Sequence, residues 1–132
     1  MSNTQLPLTS QWFEMTKAQI KLEDYREITP YWCARFLLWN GFKVSQQHWL
    51  RRLSDWKDMS ESEGILEYIK LGLITFQDFD FNIMTLGYPR ADDSERILKL
   101  ENKGIEIREG NPEWGAVPGR KYFVVMHGSF LQ

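Results

Sequence analysis

Residues 21–32 and 110–121 hold the side chains of this chain best suited to chemistry. Lys21, Glu23, Asp24, Arg26 and Glu27 fall within seven positions. Arg26 offers a planar, permanently charged fork suited to a phosphate or a carboxylate, and the three carboxylates could accept hydrogen bonds from base or sugar donors. The competing reading is an internal strut, with Arg26 paired to Glu23 or Glu27, since exposed ion pairs contribute only about 0–1 kcal/mol and recur at such corners. Tyr25, Tyr31, Trp32 and Trp114 could stack on bases, an interaction of about 1–3 kcal/mol per base. Trp32 stands at helical spacing from Phe36, which reads as core. Trp114 sits in a loop punctuated by Gly110-Asn111-Pro112 and by Gly115-Ala116-Val117-Pro118-Gly119, so Glu113 and Trp114 should be presented in a rigid frame. Trp114 could equally serve as a packing hook. Arg120 and Lys121 close the loop with two further cations.

These groups need elements to hold them. Residues 5–9 read as a short extended segment, after which Thr9 or Ser10 can cap a helical turn carrying Trp12, Phe13 and Thr16. Leu22 to Ile28 reads as a strand with Tyr25 facing one side, Asp24 and Arg26 the other. Thr29 is a good N-cap and Pro30 a good first helical residue, because proline lacks the N–H that would go unpaired there. The spacing of Trp32, Phe36 and Trp39 predicts a helix running to about Asn40-Gly41. Ser45 can cap a second helix with Trp49, Leu50, Leu53 and Trp56 on its apolar side. Ser60-Glu61-Ser62-Glu63 has the capping-box arrangement for a third at about 61–71, ahead of Gly72. Periodicity then changes to alternation, with Phe79, Phe81 and Ile83 expected inward and Asp80 and Asn82 outward. Leu98 and Leu100 fall on even positions, Ile105 and Ile107 on odd ones, so the buried face shifts phase near Gly104. Tyr122 to Met126 is apolar throughout, as in a strand covered on both faces.

Composition narrows the function classes. The 132 residues, 42% apolar and 14% aromatic, suit one globular domain over 1–132. A formal net charge of -2 lacks the basic field that drives nonspecific binding to long nucleic acid, so any such contact must be local. Cys33 is the one cysteine, and with His48 and His127 it offers no metal-binding spacing; no metal and no cofactor are expected. Cys33 falls on the apolar side of the Pro30 helix, which favours a buried thiol over a nucleophile. No apolar run reaches the roughly 18 residues of a membrane span, and the N-terminus lacks a signal-peptide pattern, so a cytoplasmic protein with no membrane contact is expected. Gly-x-Ser-x-Gly, P-loop and Gly-x-Gly-x-x-Gly patterns are absent from the sequence.

Two segments together, Asp24 to Trp32 and Gly110 to Phe123, with Trp12-Phe13-Glu14-Met15 ahead of them, resemble the ASCH family of the PUA-like superfamily. The likeness covers about 60–70% of the chain and departs from the family at 41–72, which reads as a helical insertion. It implies an α+β fold, a small PUA-like β-barrel with flanking helices and that insertion. It also implies a cleft between 21–32 and the 110–121 loop, used in relatives for RNA or modified-nucleoside recognition. Some relatives look like amidohydrolases acting on acetylated cytidine, with a Thr nucleophile, a Lys three residues before it and a distant Glu. Lys21 matches the Lys position, but Asp24 stands where the Thr would be, removing the hydroxyl that a covalent acyl mechanism needs. What is left for catalysis is Asp24 or Glu27 activating water while Lys21 stabilises negative charge.

Fold alone does not assign function, and three readings follow from the residues. The first is a small RNA or nucleotide recognition module, in which Lys21, Arg26, Arg120 and Lys121 meet phosphate. Tyr25, Tyr31 or Trp114 then meet bases, and Glu27 and Glu113 accept polar donors. So few clustered cations favour short, structured or modified RNA. The second is a protein-interaction module or homodimer acting through 41–72, where Trp39, Trp49 and Trp56 exceed what a minimal barrel needs. Those rings could instead cap an open barrel face. The small size would suit a phage or mobile-element accessory protein, although no residue demonstrates that origin. The third is the amidohydrolase on a modified nucleoside.

Overall fold

The computed structural model describes residues 2–131, which form an α+β fold with four α-helices among the described residues. Strand β1, Asn3–Leu8, buries Thr4, Leu6 and Leu8 by strict alternation. Helix α1, Ser10–Lys17, follows with Phe13 and Thr16 inward, and the Thr16 hydroxyl donates to the Trp12 carbonyl at 2.7 Å. Strand β2, Glu23–Arg26, leads into helix α2, Pro30–Phe36. Its start is as the residues require: the Thr29 hydroxyl accepts from the Trp32 N–H at 3.3 Å, with Pro30 in the first turn.

Helix α2 ends earlier than its spacing predicts. At Leu37 the backbone turns extended (φ -116, ψ 157), and Leu37–Trp39 becomes strand β3. Strand β4, Ile74–Phe76, pairs antiparallel with it, Leu37 opposite Phe76 and Trp39 opposite Ile74. The left-handed residues Asn40 (φ 49) and Gly41 (φ 82) do mark a chain reversal, but it returns the strand, through a bridge from Trp39 to Phe42.

Helix α3, Gln46–Asp55, and helix α4, Glu61–Lys70, lie within the 41–72 segment. Ser45 accepts from the His48 N–H and Ser60 from the Glu63 N–H, each at 3.2 Å. The tryptophans of this region pack among themselves. Trp49 is fully buried, Trp39 lies 5.5 Å from Tyr68, and Trp56 stacks on Tyr68 at 5.3 Å. Leu50, expected on the apolar side of α3, is exposed.

Strands β5 (Phe81–Leu86), β6 (Ile97–Glu109) and β7 (Lys121–Leu131) complete a five-stranded mixed sheet in the order β1-β5-β6-β7-β2. β1 runs parallel to β5, and β5 antiparallel to β6. Gly104 (φ 120) sits where the buried face of β6 changes phase, from Leu100 to Ile105. On β5 the buried parity is the reverse of expectation: Asn82 and Met84 are inside, Phe81 and Ile83 half-buried. Asn82 tolerates burial because its carboxamide is bonded on both sides, donating to the Met126 carbonyl (3.3 Å) and His127 Nδ1 (2.8 Å) while accepting from Asn102 (2.6 Å).

The chain forms two compact units, each assembled from separated segments. One comprises the residues up to Asp24, Asp78–Gly104 and those from Val125 onward, with Leu6, Phe13, Met84, Leu100 and Val125 in its core. The other comprises Tyr25–Gln77 and Ile105–Val124, with Phe36, Leu37, Trp49, Ile65, Ile74 and Phe123 inside. No helix among the described residues is long and apolar enough to cross a membrane.

Candidate functional site

Three short segments of the second unit border a cavity of about 550 Å³: Glu27-Ile28-Thr29, Ser60 to Glu63, and Gly119-Arg120-Lys121. Local chemistry places each of them. The Thr29 cap and Pro30 set the corner between β2 and α2, and the Ser60 cap starts α4 at the second wall. The third wall is held by Tyr122, whose hydroxyl accepts from the Val117 N–H at 3.0 Å. Gly119 (φ 83) supplies the left-handed turn, and its N–H donates to Glu109 at 2.8 Å.

The cleft has mixed charge. Glu27, Glu61 and Glu63 face it with Arg120 and Lys121, and Arg120 Nη1 lies 2.8 Å from Glu27 Oε1. Both side chains of that pair are more than half exposed (53% and 63%), so solvent screens it and a competing ligand group can split it at small cost. Of the residues singled out in the sequence, the cavity thus gathers Glu27, Arg120 and Lys121.

The remaining candidates have other surroundings. Tyr25 ties β2 to the 110–116 loop: its hydroxyl accepts from the Asn111 N–H at 2.8 Å. Its ring lies so close to Gly110 that a Cβ there would fall 2.6 Å from the ring carbons. Arg26 lays its guanidinium over the Trp32 ring, 4.9 Å from the centroid, and Trp32 stacks on Phe36 at 5.2 Å. Tyr31 is exposed, with the Arg35 guanidinium over its ring at 3.5 Å. Pro112–Trp114 forms a single 3-10 turn, capped by Asn111 accepting from the Glu113 N–H and closed by Gly115 (φ 99). Glu113 is exposed there and Trp114 half-buried; neither borders the cavity.

Lys21 and Asp24 belong to the first unit, where they are 3% and 2% exposed. Lys21 Nζ donates to the Glu23 carbonyl at 2.6 Å and meets Asp24 Oδ1 at 3.3 Å, 5.9 Å above the Trp12 ring. Burial of a cation is tolerable only with such partners. The pair borders a polar core that the sequence did not announce: His127 donates its backbone N–H to the Leu22 carbonyl at 3.0 Å and accepts at Nδ1 from Asn82. Accepting at Nδ1 leaves the ring proton on Nε2, which is buried with no hydrogen-bond partner among the described residues. Burial is the main cause that lowers the His127 pKa to about 4, with Asp24 and Glu23 opposing and Lys21 assisting. No spacing rule marks Asn82, Asn102 and His127 as a group, since three strands contribute one residue each.

Cys33 is fully buried and its thiol is pushed up to about 12, chiefly by burial and secondarily by Glu61, which removes thiolate reactivity near neutrality. Among the described residues no group of three or more His, Cys, Asp or Glu side chains gathers at metal-binding distance. Comparison with family models, with curated proteins and with solved structures returns no match, so the likeness of 24–32 and 110–123 to the ASCH family rests on those residues alone.

Proposed function

We propose that this protein is a recognition module of the ASCH type, with a PUA-like fold, that takes a nucleotide or a short or modified RNA segment in the cleft at 27–29, 60–63 and 119–121. The observation that carries the reading is convergence. The two segments that bear the family likeness are far apart in the chain, yet both contribute walls to one cavity of about 550 Å³. A cavity of that size suits a ligand of nucleotide dimensions.

The charge inventory narrows the ligand. Three carboxylates beside two cations disfavour a polyphosphate and favour a ligand with several neutral donors and one anionic group. Glu27, Glu61 and Glu63 would accept from ribose hydroxyls or an exocyclic amino group, as carboxylates do at base edges. Arg120, released from Glu27, and Lys121 would meet a phosphate. Among the described residues no aromatic ring lines the cavity, so recognition is by edges and charge rather than by stacking. Lys21 and Asp24 enter the proposal as buried supports of the first unit, with no role in turnover.

Calorimetric titration with mononucleotides and short single-stranded RNA at two salt concentrations tests the reading. Two phosphate-facing cations correspond to a modest salt slope, at most about -1.4 in log K against log salt for a single strand. Arg120→Ala and Lys121→Ala should each weaken binding by roughly tenfold, the scale of one charge-assisted hydrogen bond. Binding that is salt-independent, or equally strong in both variants, sinks the proposal.

A further inference from the structure

A second concave surface lies elsewhere in the second unit, on α3. Ser45, Gln47, His48, Arg51, Arg52 and Asp55 border a cavity of about 390 Å³. Two guanidinium groups face it against one carboxylate. Among the described residues neither Arg51 nor Arg52 has a carboxylate within ion-pair distance, whereas Arg120 is paired to Glu27 and Arg108 to Glu106. A pair of adjacent, uncompensated guanidiniums in a concavity is a site for an anion.

Arg52 is also fixed in advance. Its guanidinium lies over the Trp39 ring, 3.9 Å from the centroid, and its Nε donates to His48 Nε2 at 3.3 Å. Trp39 is itself wedged among His48 (5.4 Å), Trp49 (6.1 Å) and Tyr68 (5.5 Å), so the arginine is anchored on a packed aromatic cluster. With Nε committed to His48, the two Nη groups remain as the fork presented to a ligand. Pre-setting that fork spares a ligand most of the rotamer entropy that an exposed arginine would lose on binding. His48 must be neutral to accept from Arg52, which agrees with the lowering of its pKa by burial and then by Arg52.

We propose that this surface of α3 is an anion site for a phosphate ester, gripped by Arg51 and by the Trp39-anchored fork of Arg52, with the Gln47 amide as an additional donor. Two guanidiniums can each bond a pair of oxygens on the tetrahedral phosphate, which a single planar carboxylate cannot offer to both. Asp55 opposes larger clusters of negative charge at the same place. The phosphate could be a free monoester or a diester of an RNA backbone; the chemistry at Arg51 and Arg52 is the same. The proposal shares no residue with the cleft at 119–121, so each can fail without the other.

The test follows side-chain N–H signals of arginine and tryptophan in heteronuclear spectra of the full chain during titration with three probes. These are inorganic phosphate, adenosine monophosphate, and a pentanucleotide RNA without terminal phosphate. A saturable shift of the Arg52 Nε and Trp39 Nε1 signals is expected. Saturation by the first two probes alone identifies a monoester ligand, and saturation by the pentanucleotide identifies a diester. Arg51→Gln should weaken the effect at least about tenfold, and Arg52→Lys, which keeps the charge but loses the fork, by a similar factor. Arg120→Ala should leave it unchanged. No saturable shift with any probe overturns the proposal, as does an equal loss in an Arg90→Gln, Arg96→Gln variant, which would show a general charge effect.

Discussion

Acidification should destabilise this protein through His127, and the magnitude follows from its surroundings. In the folded chain Nδ1 of His127 accepts from Asn82, and the Asn82 carboxamide cannot flip, because its oxygen accepts from Asn102 and its nitrogen also donates to the Met126 carbonyl. Protonation at Nδ1 would set two donors against each other inside a dry core. The groups facing the ring, Lys21, Asp24 and Glu23, compensate each other only in part, and burial dominates, taking the pKa from 6.5 down to about 4. Because the folded value lies below the unfolded one, the unfolded chain takes up the proton first. The contribution is therefore complete above about pH 6.5 and is lost as pH falls toward 4. A difference of about 2.5 units at 1.36 kcal/mol each amounts to about 3 kcal/mol. Urea unfolding at half-unit steps from pH 7.5 to 4 reads this as a fall in midpoint. His127→Gln keeps an acceptor and removes the titration, so its stability should fall less over the same window, the difference from the parent reaching about 3 kcal/mol. Other carboxylates titrate equally in both proteins and cancel. Parallel profiles for parent and variant would refute the assignment of a buried, neutral His127.

Cys33 should resist alkylation by iodoacetamide at pH 8 in the folded protein and react readily in urea, since burial pushes the thiol up to about 12; modification of the native protein at the rate of a free thiol would contradict its place in the core. Gly64→Ala, which on helix propensity alone would stabilise α4 by about 1 kcal/mol, should instead destabilise by about 1–3 kcal/mol, because the Trp56 ring occupies the space of the new methyl group. Thermal unfolding with near-ultraviolet circular dichroism decides this, and a raised midpoint with unchanged aromatic signal would show that the Trp56 ring does not lie against Gly64.

What could be read from the chain was mostly local. Thr29-Pro30, Ser45 and Ser60 start helices α2, α3 and α4 because an N-cap needs only the residues two or three positions ahead. Gly104 marked the phase change in β6 for the same reason, since the conformation that permits the shift belongs to that residue. Features decided by distant partners were not legible. The end of α2 at Phe36 depends on β4, some forty positions later, and the inward turn of Asn82 depends on Asn102 and His127. Composition showed Tyr25 as an aromatic group near charges, but only its bond to Asn111 reveals a strut. Lys21 likewise looked available to phosphate until Asp24 and the Glu23 carbonyl enclosed it. Part of the cleft wall, Ser60 to Glu63, carries a capping box, which pointed to a helix start and not to a ligand site.

The central claim is that 27–29, 60–63 and 119–121 form one ligand site. Backbone amide shifts recorded while a mononucleotide is titrated into the protein test it most directly. Saturable perturbations in all three segments, needing about tenfold more ligand to saturate in Arg120→Ala, are the expected result. Saturable perturbations centred instead on Tyr31 or Trp114, or none in any of the three segments, would contradict it.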